Sequence, residues 1–241
     1  MRSSRSAPDP LVSDPLAAGL PGFAHRGLHD GATSIENSFL AFAAALELGA
    51  GIECDLRLTA DEQIIVFHDA DALRLCGSHA VIAGSTLADL ARFSVGNHPI
   101  PTLARLLAMV DGHVPLLLEA KIGGRFWRFG PALLAALNGY RGRHGVMSFD
   151  PRLSCWLKTN APGIRRGLVV SDTLSPVRRW LWLWLADPHF LAVDILAIGK
   201  PWVARARRRM PVYCWTVRTP ADRETARVHA DALIWEADGR P

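Results

Sequence analysis

Glu53 and Asp55 are the first side chains whose type and spacing suggest chemistry, since they stand two apart in an otherwise apolar run, residues 51–56. Residues two apart in a strand share a face, so both carboxylates point to the same side. Two buried acids on one face repel each other unless a cation compensates their charge. A divalent cation that prefers oxygen ligands, Mg²⁺ or Ca²⁺, fits this pair. The alternative is a salt-bridged rim in which Arg26 or Arg57 neutralises the acids.

A second charged pair, Glu119 and Lys121, ends the apolar run at residues 116–118. These two side chains also share one face of a strand. In a barrel of parallel strands, the carboxyl ends of the strands build the active site. Glu119 is therefore a candidate third oxygen ligand, and Lys121 is a candidate for binding phosphate as a point charge. The alternative is an ordinary Glu–Lys ion pair on the surface.

Two of the nine histidines stand at predicted strand ends, one in His25-Arg26-Gly27 and the other in His68-Asp69. Phosphoryl transfer needs one group that deprotonates the nucleophile and another that protonates the leaving oxygen. Imidazole can do either near neutral pH. Arg26 offers a planar fork for phosphate oxygens, and Gly27 lets the backbone approach closely.

The elements that position these residues follow a repeating pattern, in which a short apolar run is followed by a helical pattern and then by another apolar run. This pattern predicts βα units and a parallel sheet. About eight parallel strands in a chain of 241 residues match a TIM barrel, the (β/α)8 fold. The predicted strands are residues 22–25, 51–55, 114–121, 145–149, 165–170, 191–195, 211–216 and 232–235.

A polar turn at residues 58–63 joins two strand-like runs and predicts a small hairpin near the candidate site. This hairpin returns residues 64–68 toward Asp55. We therefore expect His68 to lie close to the two acids of the preceding strand.

The clearest helix begins after Asn37 or Ser38, either of which can cap its N-terminus. Apolar residues follow at helical spacing, and Gly49 supplies the end of the helix. This helix directly precedes the strand that carries the two acids.

Composition limits the remaining possibilities. A chain that is 49% hydrophobic and 21% charged is not disordered, and four cysteines are too few for a small disulfide-stapled domain. The sequence has no run of about 18 apolar residues that could span a membrane, and it lacks the apolar region of a secretory signal. We therefore expect a cytoplasmic protein. Its net charge of +4 favours anionic substrates.

The two chain ends bound the predicted barrel. Residues 1–19 are expected to form a flexible leader, and residues 20–241 a single barrel domain. The sequence given stops at Pro241, almost directly after the last predicted strand. The barrel is therefore expected either to lack its final helix or to have that gap covered by the leader.

Several short motifs, taken together and in this order, resemble the glycerophosphodiester phosphodiesterase family. They cover nearly all of the chain after the leader, and the ordered set is much more specific than any one motif. The matching motifs are His25-Arg26-Gly27, Glu36-Asn37-Ser38, Glu53-Cys54-Asp55, His68-Asp69, Glu119-Ala120-Lys121, Ser148-Phe149 and Trp215-Thr216-Val217.

The resemblance implies a TIM barrel with one divalent cation, Mg²⁺ or Ca²⁺, at its active site. It assigns metal binding to Glu53, Asp55 and Glu119. It assigns general acid and base catalysis to His25 and His68, with His25 suggested as the acid and His68 as the base. The implied reaction is hydrolysis of a glycerophosphodiester to an alcohol and glycerol phosphate.

The resemblance also implies roles for four further residues. Arg26 and Lys121 would neutralise the phosphodiester, and Trp215 would line the pocket and pack against the alcohol part of the substrate. Glu36 would support Arg26 or the floor of the site from behind.

The chain departs from the family's usual pattern at two motifs, and its loop at residues 70–101 is short compared with members that carry a substrate-capping insertion. Arg218 follows Trp-Thr-Val where the family usually has Asn, and Trp235-Glu236 stands near the end where the family usually has Thr-Asp. These departures concern the specificity for the alcohol. They leave open a lysophospholipase-D-like or sphingomyelinase-D-like activity, and a catalytically silent barrel that binds phosphodiesters is a third alternative.

One stretch, residues 178–185, alternates tryptophan and leucine after two arginines. It has two interpretations, a buried helix of the barrel's outer ring or an interfacial anchor with Trp180, Trp182 and Trp184 at the level of lipid headgroups. The second interpretation would allow peripheral membrane contact.

A basic run at residues 205–209 is interpreted as a solvated helix face. No base-stacking series of aromatic residues accompanies it, so a nucleic-acid partner is not expected. The expected partner is a small-molecule phosphodiester.

Overall fold

The computed structural model describes Leu16 and residues 22–241. Its strands are β1 Phe23–Ala24, β2 Gly51–Leu58, β3 Ile64–Val66, β4 Ser94–Val95, β5 His98–Pro99, β6 Leu116–Ala120, β7 His144–Ser148, β8 Arg165–Val170, β9 Phe190–Asp194, β10 Val212–Val217 and β11 Ala232–Trp235. Its α-helices are α1 Phe39–Glu47, α2 Leu73–Cys76, α3 Leu87–Leu90, α4 Leu103–Val110, α5 Phe126–Leu137, α6 Pro151–Asn160, α7 Pro176–Ala186, α8 Pro201–Arg207 and α9 Pro220–His229.

The main sheet closes into a barrel, because β1 pairs in parallel with both β11 and β2. The strand order is β1-β11-β10-β9-β8-β7-β6-β2-β3, and β3 alone runs antiparallel, on the edge of β2. The other eight strands form the (β/α)8 fold predicted from the sequence, and each of the eight predicted strands is present. After β11 the described residues form a 3-10 turn at Ala237–Gly239 instead of an α-helix.

The pleat of the barrel strands separates two sets of side chains. Ile52, Cys54 and Leu56 of β2 belong to the core between the barrel and its helices. Glu53 and Asp55, which alternate with them, therefore point to the barrel interior. Parallel strands that are buried on both faces read as nearly continuous apolar runs, so two acids on such a strand stand out.

Aromatic rings fill the barrel interior. Tyr213 stacks on Phe23 and on Phe190, with ring centroids 5.7 Å and 4.9 Å apart. Leu16 is buried in the same cluster. Apart from Leu16, the predicted flexible leader at residues 1–19 lies outside the described residues, and its flexibility stays a prediction.

The predicted hairpin is formed by β2 and β3. Leu56 pairs with Val66 in the antiparallel ladder, and the Phe67 amide donates to the Asp55 carbonyl at 2.9 Å. His68 therefore follows directly after a residue that is hydrogen-bonded to the strand carrying the acids. This local pairing is the reason that His68 reaches the candidate site.

The N-cap of α1 is Ser38, whose side chain accepts a hydrogen bond from the Ala41 amide. Asn37 precedes it with a φ of +55° and is itself buried. Because Ser38 caps the helix, the side-chain amide of Asn37 is available for a different contact. It forms hydrogen bonds with Asp55 of β2.

Helix α7 lies in the outer ring with only part of its surface covered. Trp182 packs against the core, whereas Trp180 and Trp184 are 68% and 70% exposed. Val177 and Leu181 are also exposed, and the four positions 177, 180, 181 and 184 share one helix face. Within the described residues, no helix has both the length and the apolar character that crossing a bilayer requires.

Candidate active site

Three acids meet at the carboxyl end of the barrel. Asp55 of β2 and Glu119 of β6 are direct partners in the parallel ladder, and Glu53 stands opposite Leu117 on the same interior face. One carboxylate oxygen from each of Glu53, Asp55 and Glu119 lies within 4.8 Å of the other two. The register of two adjacent strands therefore brings together acids that are 64 residues apart in sequence (Asp55 to Glu119).

Glu53 is almost fully buried and incompletely paired. Its Oε2 accepts a hydrogen bond from the Arg26 amide at 3.0 Å, but Oε1 has no hydrogen-bond partner. Burial, with the neighbouring charges of Asp55 and Glu119, raises the pKa of Glu53 well above its usual range. A nearby cation would reverse this effect by stabilising the ionised form.

Asp55 is the best neutralised of the three acids. Its Oδ2 accepts from Asn37 Nδ2 at 2.9 Å and lies 3.1 Å from Arg26 Nε, and Lys121 Nζ lies 3.1 Å from Oδ1. Both cationic contacts are ion pairs without hydrogen-bond geometry. Although burial opposes ionisation, Lys121 and Arg26 lower the pKa of Asp55 to about 2.

Glu119 and Lys121 form a local ion pair, since Lys121 Nζ donates to Glu119 Oε1. Burial, together with repulsion from Asp55, nevertheless raises the pKa of Glu119 to about 7. Lys121 also lies over the ring of Phe149, with Nζ 5.6 Å from the ring centroid. The predicted phosphate-binding cation thus stands between the acids and an aromatic wall.

These three acids fit a divalent cation with a preference for hard ligands. Carboxylate oxygens are the ligands that Mg²⁺ and Ca²⁺ prefer. Glu53 Oε1 and Asp55 Oδ1 are buried oxygens without a hydrogen bond, and two of the three acids have raised pKa values. Buried polar atoms are normally paired, so Glu53 Oε1, which has no hydrogen-bond partner, is suited to be a cation ligand.

The His25-Arg26-Gly27 turn aims both the backbone and the side chain of Arg26 at the acids. Arg26 has a φ of +56° and Gly27 a φ of +80°. A Cβ on Gly27 would lie 2.8 Å from the Ala41 backbone in α1. Glycine is therefore required by both the close approach and the left-handed conformation.

Glu36 lies behind Arg26. Its Oε1 accepts from Arg26 Nη1 at 2.7 Å and from Arg74 Nη2 at 2.6 Å. The guanidinium of Arg26 is thus shared between Glu36 and Asp55. This sharing fixes its position beside the acid cluster.

His25 lies between two carboxylates. Its Nδ1 is 2.5 Å from Glu236 Oε2, and its Nε2 is 4.0 Å from Glu53 Oε2. Burial lowers the pKa of His25, while the hydrogen bond to Glu236 acts in the opposite direction. Its position directly after β1 places it at the rim of the acid cluster.

The side chain of His68 is more exposed than that of His25, and its partner is also a carboxylate. Its Nδ1 lies 2.7 Å from Asp69 Oδ1, and Arg74 Nε donates to Asp69 Oδ2 at 2.7 Å. Partial burial lowers the pKa of His68, and the charge of Asp55 opposes that shift. Each of the two candidate catalytic histidines therefore has a carboxylate partner at its Nδ1.

Trp215 borders the same end of the barrel. Its Nε1 donates to the Ala192 carbonyl at 3.1 Å, and its ring meets Phe149 edge-on with centroids 5.6 Å apart. A cavity of about 230 Å³ adjoins this wall and is lined by Arg57, Ala120, Lys121, Ile122, Ser148, Phe149 and Asp150. The cavity combines a cationic side with an aromatic side.

Sequence reasoning missed four residues that contact the site. Asn37 and Asp69 lie inside motifs that resemble the family, and Glu236 is an acid directly after a predicted strand. The sequence therefore contained a signal for these three residues. Arg218 contacts Glu236 Oε1 through its Nε at 2.6 Å. Only the folded chain could assign that partner, since 18 residues separate the two.

Comparisons with known proteins agree with this arrangement. The model of the "Glycerophosphoryl diester phosphodiesterase family" matches residues 25–237. A "Probable glycerophosphodiester phosphodiesterase 1" from Mycobacterium tuberculosis is 28% identical, with 95% of this chain and 97% of that protein covered.

Solved structures agree on the fold. The crystal structure of a glycerophosphodiester phosphodiesterase from Thermotoga maritima is 25% identical with a TM-score of 0.76, covering 92% of this chain and 96% of that one. An Oleispira antarctica phosphodiesterase, in complex with its product sn-glycerol-3-phosphate, is 21% identical with a TM-score of 0.77, covering 90% and 92%. The family match spans every candidate site residue and all the barrel strands after β1, and the chain therefore belongs to the glycerophosphoryl diester phosphodiesterase family of hydrolases.

Proposed function

We propose that this enzyme hydrolyses glycerophosphodiesters to an alcohol and glycerol phosphate, with one divalent cation and two histidines. The observation that carries the proposal is the convergence of Glu53, Asp55 and Glu119 at one point, with His25 beside them. When bound there, the cation supplies Lewis-acid polarisation and offsets negative charge. Arg26 and Lys121 add two fixed positive charges for the phosphodiester.

The proton transfers are assigned to the two histidines. Neutral His68 takes a proton from the attacking oxygen as the new bond to phosphorus forms. The bond from phosphorus to the leaving oxygen breaks, and that oxygen keeps the electron pair and takes a proton from the imidazolium of His25. With water as the nucleophile, one water is consumed and solvent exchange resets both rings.

The nucleophile is either water or a neighbouring hydroxyl of the substrate. Attack by a substrate hydroxyl releases the alcohol first and leaves a cyclic phosphate, which water then opens. ³¹P NMR of the reaction on glycerophosphocholine distinguishes the two routes. A transient cyclic phosphate supports the internal hydroxyl, and its absence at all times supports water.

An activity panel tests the main proposal. The enzyme is assayed with glycerophosphocholine, glycerophosphoethanolamine and bis-p-nitrophenyl phosphate in Mg²⁺, in Ca²⁺ and in excess chelator. We expect turnover that depends on a divalent cation, and the panel also identifies the preferred ion and alcohol. Full activity in chelator would contradict the metal assignment.

A second candidate substrate is a lysophospholipid, and a specific groove favours it. The groove, of about 460 Å³, lies between α6 and α7 and is lined by Phe149, Asp150, Pro151, Arg152, Trp182 and Leu185. Phe149 and Asp150 also line the cavity beside Lys121. An acyl chain in this mainly apolar groove could therefore accompany a phosphodiester near the acids.

Chain-length dependence tests this candidate. Lysophosphatidylcholines with short and long acyl chains are compared with glycerophosphocholine in wild type and Leu185→Gln. A kcat/KM that rises with chain length in wild type, and less so in the variant, supports the lysophospholipase-D-like activity. A flat dependence in wild type rules out the groove as an acyl site.

The exposed face of α7 supports peripheral contact with an anionic lipid surface. Trp180 and Trp184 lie on this face, and Arg179 stacks over Trp202 of the neighbouring α8 at 4.3 Å. Burial, with the neighbouring charge of Arg205 in α8, lowers the pKa of Arg179, so a second cationic group stands close to this helix. Tryptophan and arginine together suit the interface of an anionic membrane.

Vesicle co-sedimentation tests the lipid contact. Wild type is compared with the double variant Trp180→Ala/Trp184→Ala on vesicles that contain anionic lipid. Trp127→Ala is the matched control, because Trp127 is also 67% exposed but lies on α5. Equal partitioning of the double variant and wild type would contradict the proposal. The cytoplasmic location stays a prediction.

A further inference from the structure

Each candidate catalytic histidine is backed by a carboxylate, and each of these carboxylates is backed by an arginine. Glu236 contacts His25 Nδ1 through Oε2 and Arg218 Nε through Oε1. Asp69 contacts His68 Nδ1 through Oδ1 and accepts from Arg74 through Oδ2. These two groups of three residues have no residue in common.

We propose that Glu236, held by Arg218, is a positioning residue that fixes the ring of His25 for proton donation to the leaving oxygen. The inference rests on the proposed function, in which His25 is the general acid. Glu236 is not one of the three clustered acids Glu53, Asp55 and Glu119; its carboxylate groups instead with the rings of His25 and His29, with ligand atoms within 4.8 Å of one another. In this proposal Glu236 acts through the imidazole of His25.

The geometry defines what Glu236 does to the ring. A carboxylate at 2.5 Å accepts a hydrogen bond from Nδ1, so the proton of the neutral ring stays on that nitrogen. Nε2 is then the nitrogen that gains and loses the transferred proton. Nε2 is also the nitrogen that faces the acid cluster, 4.0 Å from Glu53 Oε2.

Arg218 holds the carboxylate in this orientation. Its Nε occupies Oε1 at 2.6 Å and leaves Oε2 to face His25. His29 is the third group that faces Glu236, with Nε2 3.6 Å from Oε2. Arg218 and Glu236 therefore form one ion pair whose free oxygen faces the imidazole.

The dependence on the leaving group tests the inference. A poor leaving group such as the choline alkoxide needs a proton from the enzyme, whereas p-nitrophenolate leaves without one. Wild type, Glu236→Gln, Glu236→Ala and His25→Ala are assayed on glycerophosphocholine and on the p-nitrophenyl ester of glycerol 3-phosphate. Glu224→Gln is the control, because Glu224 is an exposed acid of α9.

We expect each Glu236 variant to lose about 10- to 100-fold in kcat on glycerophosphocholine. The same variants lose less than about 3-fold on the p-nitrophenyl ester, because no proton is needed there. We expect KM to stay unchanged on both substrates, since the proposed role of Glu236 is to orient His25 and not to bind the phosphodiester. Equal losses on the two substrates, or no loss on either, would overturn the inference.

His25→Ala separates this inference from the proposed function. If His25→Ala loses activity equally on both substrates, the assignment of His25 as the acid fails. If His25→Ala loses more activity on glycerophosphocholine than on the p-nitrophenyl ester but the Glu236 variants do not, the assignment of His25 as the acid stands and the role of Glu236 fails. ¹⁵N NMR of the histidine rings adds a readout without turnover. We expect His25 to carry its proton on Nδ1 in wild type, and a Glu236→Ala variant with the same tautomer would also contradict the inference.

Discussion

Asp55 and Glu119 stand directly opposite each other on adjacent parallel strands, and both side chains point into the barrel. One of them has a pKa of about 2 and the other a pKa of about 7. The difference arises from their partners, because Asp55 has both Lys121 and Arg26 nearby, while burial dominates at Glu119. Two neighbouring acids with such different proton affinities are typical of a functional site.

Loss of either histidine is expected to remove most of the activity. His25→Ala and His68→Ala should each lower kcat on glycerophosphocholine by at least about 100-fold, since each removes one proton transfer. Thermal unfolding checks that both variants stay folded. Near-normal kcat in either folded variant would contradict the two-histidine scheme.

If Glu53 is a metal ligand, the stability of Glu53→Gln relative to wild type should depend on whether the ion is present. In chelator, Glu53→Gln should be as stable as wild type or more stable, because it removes a buried and incompletely paired acid. In excess Mg²⁺ or Ca²⁺, the melting temperature should rise for wild type and not for the variant. Glu62→Gln, an exposed acid that pairs with Arg128, is the control. Equal metal-induced shifts in wild type and Glu53→Gln would exclude Glu53 as a ligand.

Asn37 is expected to orient Asp55. Asn37→Gly keeps a residue that tolerates the φ of +55° and removes the hydrogen bond to Asp55 Oδ2. Metal affinity, measured by calorimetry, should fall by about 10- to 100-fold, as is typical when the partner of a ligating group is lost. Unchanged affinity would show that Lys121 and Arg26 suffice to orient the carboxylate.

Gly27 is expected to limit stability through sterics. Gly27→Ala should cost about 2–4 kcal/mol, because it adds left-handed strain and a clash with the Ala41 backbone. Gly31→Ala is a matched control, since Gly31 has a φ of +75° but open space around its Cβ position. Urea unfolding should give the control only the strain cost of about 1–2 kcal/mol. Equal losses in both variants would show that the clash is relieved.

The ion pairs of Arg74 with Glu36 and Asp69 predict a pH-dependent contribution to the stability of the fold. Burial opposes ionisation of Glu36 and Asp69, but Arg74 lowers the pKa of both. A lowered folded-state pKa stabilises the protein above the unfolded pKa of about 4, and this stabilisation is lost as the pH falls. Arg74→Met should therefore cost up to about 1 kcal/mol at pH 7 and less at pH 3.

Urea unfolding at both pH values measures this difference, with Arg141→Met as the control. Arg141 is exposed and has no ion pair within the part of the chain that the structure describes. A cost for Arg74→Met that is the same at pH 3 and pH 7 would mean that the ion pairs do not cause it.

The amino-acid sequence by itself determined the barrel and the identity of its acids. Buried parallel strands need apolar runs, and each of the eight runs became a strand. The alternation of Glu53-Cys54-Asp55 defined one shared face, because side-chain direction in a strand follows from local geometry. The turn at residues 58–63 likewise determined the hairpin that brings His68 to the site.

Only the tertiary structure decided which groups support those residues. Glu236 reaches His25 across 211 positions, because closure of the barrel places β11 beside β1. Arg218, which follows β10, and Arg74, in α2, reach Glu236 and Glu36 across 18 and 38 positions of the chain. No local pattern encodes such contacts, since their partners depend on how distant strand ends are arranged around the closed barrel. The spatial arrangement also decided that Trp182 packs inward while Trp180 and Trp184 face outward.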